Sequence, residues 1–268
     1  MAKLTGALQM TGSIGGLSIY RMKGCTELVV RTKGGFNKER IKNDGKLANV
    51  RSMNKEWIGV TQMAGAIRRS LIQLAPMSNF NYSGQLCALS KSIQKSSLTG
   101  FYGKRPILLS QCREQLSGFS FNINGYFNSV VRAPIRWKID RLKRKANVEI
   151  DEMDPFISIA DSASFPYFRF IIVLGVISDI LYDEADDAYK SMDEANHEQS
   201  KCISTDWYMS NLPFLPLSIE IAAPDASVEA GNNCTFVLAM GIEYGLYSAT
   251  GDPKVAIKRG FAQILGAL

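Results

Sequence analysis

The sequence is poor in the parts from which most catalytic centres are assembled. Its 268 residues include one histidine, His197, so a His-based triad or a multi-histidine metal site has its parts only if that residue is central. His197 sits in the acidic stretch KSMDEANHEQSK and reads as a solvated loop histidine. The five cysteines, Cys25, Cys87, Cys112, Cys202 and Cys234, are odd in number and scattered, with no C-x-x-C pair and no neighbouring His. They read as reduced thiols buried as small hydrophobes, in a reducing compartment. No catalytic residue, no metal site and no cofactor is expected, and the protein reads as a non-enzyme.

Long apolar segments are also missing. MAKLTGAL is followed by Gln, Met, Thr and Gly, which gives no continuous apolar region of the secretory type, so the chain is expected to be cytoplasmic as synthesised. The longest apolar run, FIIVLGVISDIL from Phe170 to Leu181, contains Asp179 and falls short of the ~20 residues a spanning helix needs. No membrane span is expected, and the run reads as one or two buried strands. Two ligand motifs fail on their parts. GSIGG at Gly12–Gly16 lacks the Lys-Ser/Thr of a phosphate-binding loop. A calcium loop begun at Asp183 puts Glu194 at its twelfth position, but Ala185 and Ala188 stand where an oxygen ligand and the turn glycine belong. That acidic segment reads as a solvated hairpin loop or a short surface helix.

What the sequence does have is divided charge. Residues 1–150 carry 25 Lys+Arg against 7 Asp+Glu, a net of +18, while residues 151–268 carry 6 against 18, a net of −12. Such asymmetry points to an anionic partner, or to halves that neutralise each other within one molecule. The candidate nucleic-acid contacts are Lys55, Arg68 and Arg69 on a basic helical face, and Arg141, Lys143, Arg144 and Lys145 in the turn RLKRK beside Trp137. The same residues also read as ordinary solvated charges.

Periodicity organises the rest into an α+β fold. Leu17, Ile19, Leu28 and Val30 fall at period two around a turn near Lys23 and Gly24, which predicts an N-terminal β-hairpin. Gly12, Gly15 and Gly16 permit positive φ or close backbone approach, so this edge is open to a further strand. Residues 44–75 change to a helical period through Leu47, Val50, Met53, Trp57, Val60, Ala64, Ile67, Leu71 and Leu74, stopped by Pro76. Helices follow at 85–98 and 106–116, then a loop over 118–128. From Ser129 onward the pattern is strands: the hairpin VRAPIRWKID/NVEID, then 167–178, 204–210, 217–222, 235–247 and 255–265. Seven or so strands at this spacing predict an antiparallel Ig-like β-sandwich. The expected domains are 1–128, a Gly-rich hairpin with basic helices, and 129–268, the sandwich.

The run GSIGGLSIYRMKGCTELVVR, carried by Gly12, Gly15, Lys23, Gly24 and Arg31, resembles the opening of a family of uncharacterised proteins from Bacteroidetes and their phages. CTFVLAMGIEYG and KRGFAQILGAL resemble that family's ending in layout. The resemblance implies a helical middle, an Ig-like C-terminal sandwich and a bacterial or phage setting, and no activity. Together these features predict a structural or assembly protein of virion or surface-fibre type. Its partner is protein, itself included, and it assembles through the hairpin residues Gly12, Gly15, Gly16, Tyr20, Lys23 and Gly24. A nucleic-acid-associated module is the alternative.

Overall fold

The computed structural model describes residues 2–4, 10–21, 27–33, 37–123, 125–224, 229–248 and 251–268. They form two compact units, Met1–Arg51 and Ser52–Leu268.

The first unit is an antiparallel sheet of β1 (Ala2–Leu4), β2 (Gly12–Ile14), β3 (Leu17–Arg21) and β4 (Leu28–Thr32), in the order β1-β4-β3-β2. Ile14 pairs with Leu17 across a two-residue turn whose first residue, Gly15, has φ +55°, the conformation that favours glycine at this position. The expected pairing of Leu17 and Ile19 with the Leu28–Val30 strand is present, Ile19 lying opposite Val30. Lys23 and Gly24 lie outside the described residues. A short helix α1 (Lys38–Asn43) follows, capped by the Asn37 side chain, which accepts from the Arg40 N–H at 2.7 Å.

The second unit takes its core from two long strands, β7 (Tyr167–Ser178) and β13 (Cys234–Leu246), each buried on both faces. They pair antiparallel over twelve positions and form the centre of the sheet β10-β7-β13-β14, flanked by β10 (Gln199–Ser204) and β14 (Lys254–Ala267); the short β11 (Tyr208–Met209) also pairs with β7. Because side chains alternate along a strand, the two faces feed different cores. Phe168, Phe170, Ile172, Leu174 and Val176 face one core, with Phe236, Leu238, Met240 and Ile242. A second sheet covers that core, with β12 (Leu217–Ala222), β6 (Lys145–Ile150) and β5 (Ile135–Asp140) in the order β12-β6-β5.

Ile171, Val173, Val237 and Ala239 face the other way, onto helices. These are α2 (Ala48–Ser70), a 3-10 turn at Ile72–Met77 and α3 (Ser83–Ser96). Met63, Ile67, Leu71, Leu74 and Met77 are at most 1% exposed, and each such side chain contributes about 1.5–3 kcal/mol by leaving water. Gly175 makes the close approach possible: a Cβ there would stand 3.0 Å from the Cβ of Ser70.

The fold is α+β with antiparallel sheets, as expected, but it is layered as helices, sheet, sheet. An Ig-like sandwich leaves the outer faces of both sheets to solvent, whereas here helices close the outer face of the larger one. Side chains from the segment 63–121 share this core with β7 and β13, and they lie in the compact unit Ser52–Leu268. Other differences are local. The stretch 106–116 forms only 3-10 turns at Leu109–Gln111 and Arg113–Leu116, because Ile107 exchanges both main-chain hydrogen bonds with Ile180 at 2.8 and 3.1 Å. The expected strand at 204–210 is replaced by β10 and β11. The acidic segment is a hairpin of β8 (Ile180–Asp183) and β9 (Ala188–Ser191).

Candidate functional site

The positions named from the sequence as nucleic-acid contacts are largely engaged within the protein. Lys55 donates to Asp187 at 2.6 Å, delivered by the β8–β9 turn, and to the Tyr182 hydroxyl at 3.4 Å. Arg69 makes a two-point contact with Glu198 at 2.6 and 2.5 Å. Arg141 donates to the main-chain oxygens of Cys234, Gly231 and Leu268 at 2.6, 2.8 and 3.1 Å, and its guanidinium lies 5.4 Å from the centre of the Phe236 ring. Arg144, with φ +53°, donates to Asn196 Oδ1 at 2.7 Å and to the Pro224 oxygen at 2.9 Å. Lys145 pairs with Glu220 at 2.6 Å. Lys143 stands 4.0 Å from Asp140 and is largely exposed, and Arg68 has no carboxylate partner among the described residues. The structure thus distributes these side chains over separate partners and does not gather them on one element.

Acidic segments from the C-terminal half supply most of those partners, so the division of charge moves. The second unit holds 21 Lys+Arg and 22 Asp+Glu, a net of −1, and the first unit holds 10 against 3, a net of +7. The N-terminal 51 residues therefore carry the whole excess charge of the chain, +7 against a total of +6.

Glu56, which no sequence pattern singled out, is the most heavily engaged carboxylate. It is fully buried on α2 and accepts from Arg105 at 2.6 and 2.7 Å, from Lys91 at 2.7 Å and from the Gly103 N–H at 3.0 Å. Burial pushes its pKa up, but Arg105, Lys91 and the Gly103 amide together outweigh that and hold it at about 2. The helix is rotated accordingly. Met53 and Trp57, expected on the apolar face, are 54% and 48% exposed, and the charged cluster takes the inward position.

Two residues with nucleophilic or acid–base chemistry sit at the far end of β7 and β13. His197 is not the solvated loop residue expected: its side chain is 16% exposed, and Nδ1 accepts from the Ser178 N–H at 3.2 Å. Burial lowers its pKa, so it is held neutral as a structural acceptor. Cys234 is fully buried and its thiol meets Asp193 Oδ2 at 3.4 Å. Burial and the neighbouring carboxylate push the thiol up to about 12, which removes the thiolate that nucleophilic chemistry needs. Asp179 is equally tied, accepting from the Ser110 N–H and hydroxyl at 2.8 and 2.5 Å. Among the described residues, no three or more His, Cys, Asp or Glu side chains are placed to hold a metal ion, and no helix is long and apolar enough to cross a membrane.

The N-terminal sheet is different in character. All three residues of β2 are exposed, Ile14 is 56% and Leu17 42% exposed, and Cβ atoms added at Gly12, Gly15 or Gly16 would meet nothing within 4 Å. Tyr20 lies on β3 with the Arg31 guanidinium 5.3 Å from its ring centre. Comparison with protein-family models, with characterised proteins and with solved structures gives no match.

Proposed function

We propose that the protein is a non-enzymatic structural or assembly component that joins copies of itself by main-chain pairing along β2. The carrying observation is that β2 is the outer strand of a sheet with little core of its own. Among the described residues of that unit only Ile19, Leu28, Val29 and Leu47 are buried apolar side chains. They supply about 6–12 kcal/mol of burial, little for a unit of 51 residues, and units of this size are marginal without further contacts.

Pairing at β2 supplies such contacts. Ile14 and Leu17 flank a two-residue turn and form a hydrogen-bonded pair, as do Gly12 and Ile19, so the Ser13 N–H and C=O point away from β3, to an edge that no described strand pairs with. Main-chain pairing of this kind is indifferent to side-chain sequence, which lets a second copy supply the strand. A charge of +7 on each unit opposes the encounter of two such sheets, and salt screens that repulsion within about 10 Å at 0.1 M. Self-association is therefore strengthened by salt. The same +7 favours the nucleic-acid reading, which has the opposite signature, because binding to phosphates weakens as salt rises.

Sedimentation velocity across protein concentration at low and high salt tests the reading. The expected result is concentration-dependent association that strengthens with salt and is lost on deletion of residues 1–35. A full-length chain that stays monomeric at every concentration and ionic strength refutes it.

A further inference from the structure

A cavity of about 430 Å³ lies where the 3-10 turn Ile72–Met77 passes into α3, walled by Arg68, Ser78, Asn79, Phe80, Asn81 and Tyr82. No carboxylate lines it. The N-terminus of α3, a helix of 14 residues, opens there with no acidic residue in its first turn and no side-chain cap from Tyr82 at the cap position. Backbone amides at such an end favour an anion.

The side chains are set as donors. Asn79 Oδ1 accepts from the Ile123 N–H at 3.0 Å, and Asn81 Oδ1 accepts from the Ser83 N–H at 3.1 Å. With both oxygens held by the backbone, the NH₂ groups are the atoms these two lining side chains have left to offer a ligand. Tyr82 is 5% exposed and its buried hydroxyl has no acceptor for its O–H, the neighbouring Arg68 guanidinium being a donor only. Its ring is wedged between Phe80, Phe119 and Phe121, with centres 6.4, 6.4 and 4.9 Å away, and its hydroxyl end lies beside the Arg68 guanidinium. A buried hydroxyl with no acceptor costs free energy until something supplies one. Arg68, the one cation on the wall, has no carboxylate to neutralise it among the described residues.

We propose that this cavity binds a phosphate-class anion, with Arg68 as its counter-charge and the Tyr82 hydroxyl and the Asn79 and Asn81 amides as donors. The cavity is larger than a lone phosphate, and Phe80 offers an apolar wall for the body of a small phosphate monoester. The test is calorimetric titration of the full chain with inorganic phosphate and with phenyl phosphate, against sodium chloride of matched ionic strength. Saturable binding of phosphate or phenyl phosphate is expected; tighter binding of phenyl phosphate identifies the monoester as the ligand, and tighter binding of phosphate the free ion. Arg68→Ala, at an exposed position, should weaken binding at least tenfold, and Tyr82→Phe, which keeps the packed ring, several-fold. A response no different from chloride, or undiminished binding by both variants, overturns the proposal.

Discussion

Replacing Glu56 with Gln removes one negative charge from the most buried ion cluster of the protein while keeping the side chain's size. The cost follows from its surroundings: Arg105 and Lys91, whose side chains are 22% and 20% exposed, are left without their carboxylate. A carboxyl held at about 2 in place of its ordinary 4.5 is stabilised by about 3 kcal/mol in its charged form, and removing one partner of a buried pair typically costs about 3–5 kcal/mol. The sign of the pH dependence is set by the depressed pKa. The stabilisation is complete above 4.5, where the unfolded chain is also ionised, and is lost as pH falls through that value towards 2. Urea unfolding of both proteins at pH 7 should therefore place Glu56→Gln about 3 kcal/mol below the parent. The gap should shrink steadily at pH 4, 3.5 and 3. A gap under 1 kcal/mol at pH 7, or one that does not change with pH, refutes the assignment of Glu56 as the charged centre of this packing.

Two further outcomes separate structural from surface roles. Arg141→Ala should lower stability by about 2 kcal/mol or more, since three main-chain oxygens lose a charged donor; Lys143→Ala, largely exposed one turn position away, should change it by less than 0.5 kcal/mol. Equal effects in thermal or urea unfolding contradict this division. In thiol labelling at pH 8, Cys234 should stay unmodified in the native protein and react only on unfolding, because its thiol is buried and pushed up to about 12; mass-spectrometric detection of native-state labelling at Cys234 contradicts its placement.

The parts of the fold that were legible in the sequence are those decided by local pattern. The apolar run through β7 and the alternation in β12 specify both the element and its ends, since burial on two faces or one face leaves a direct mark on residue order. The charge-neutralising arrangement left a weaker mark: the halves are visibly unlike in charge, yet which lysine meets which carboxylate depends on the β8–β9 hairpin crossing to α2. Glu56 was invisible for the same reason, its partners lying 35 and 49 residues away. Helical periodicity puts Met53 and Trp57 on the core face, and three polar groups contributed from distant segments override it. His197 looked solvated because its neighbours are acidic, while the acceptor role that draws it inward comes from the end of β7, 19 residues earlier. The donors around Tyr82 left only the polar and aromatic run SNFNYS between Pro76 and α3, which signals a connection and not a cavity.

Assembly through β2 is tested most directly by sedimentation velocity of the full chain beside Ser13→Pro, each at low and high salt. Proline removes the outward main-chain donor of β2 without breaking its ladder to β3. The parent should associate more strongly as salt rises, and Ser13→Pro should remain monomeric with an unchanged circular dichroism spectrum. Identical association of the two proteins, or a parent that is monomeric throughout, would contradict assembly through this edge.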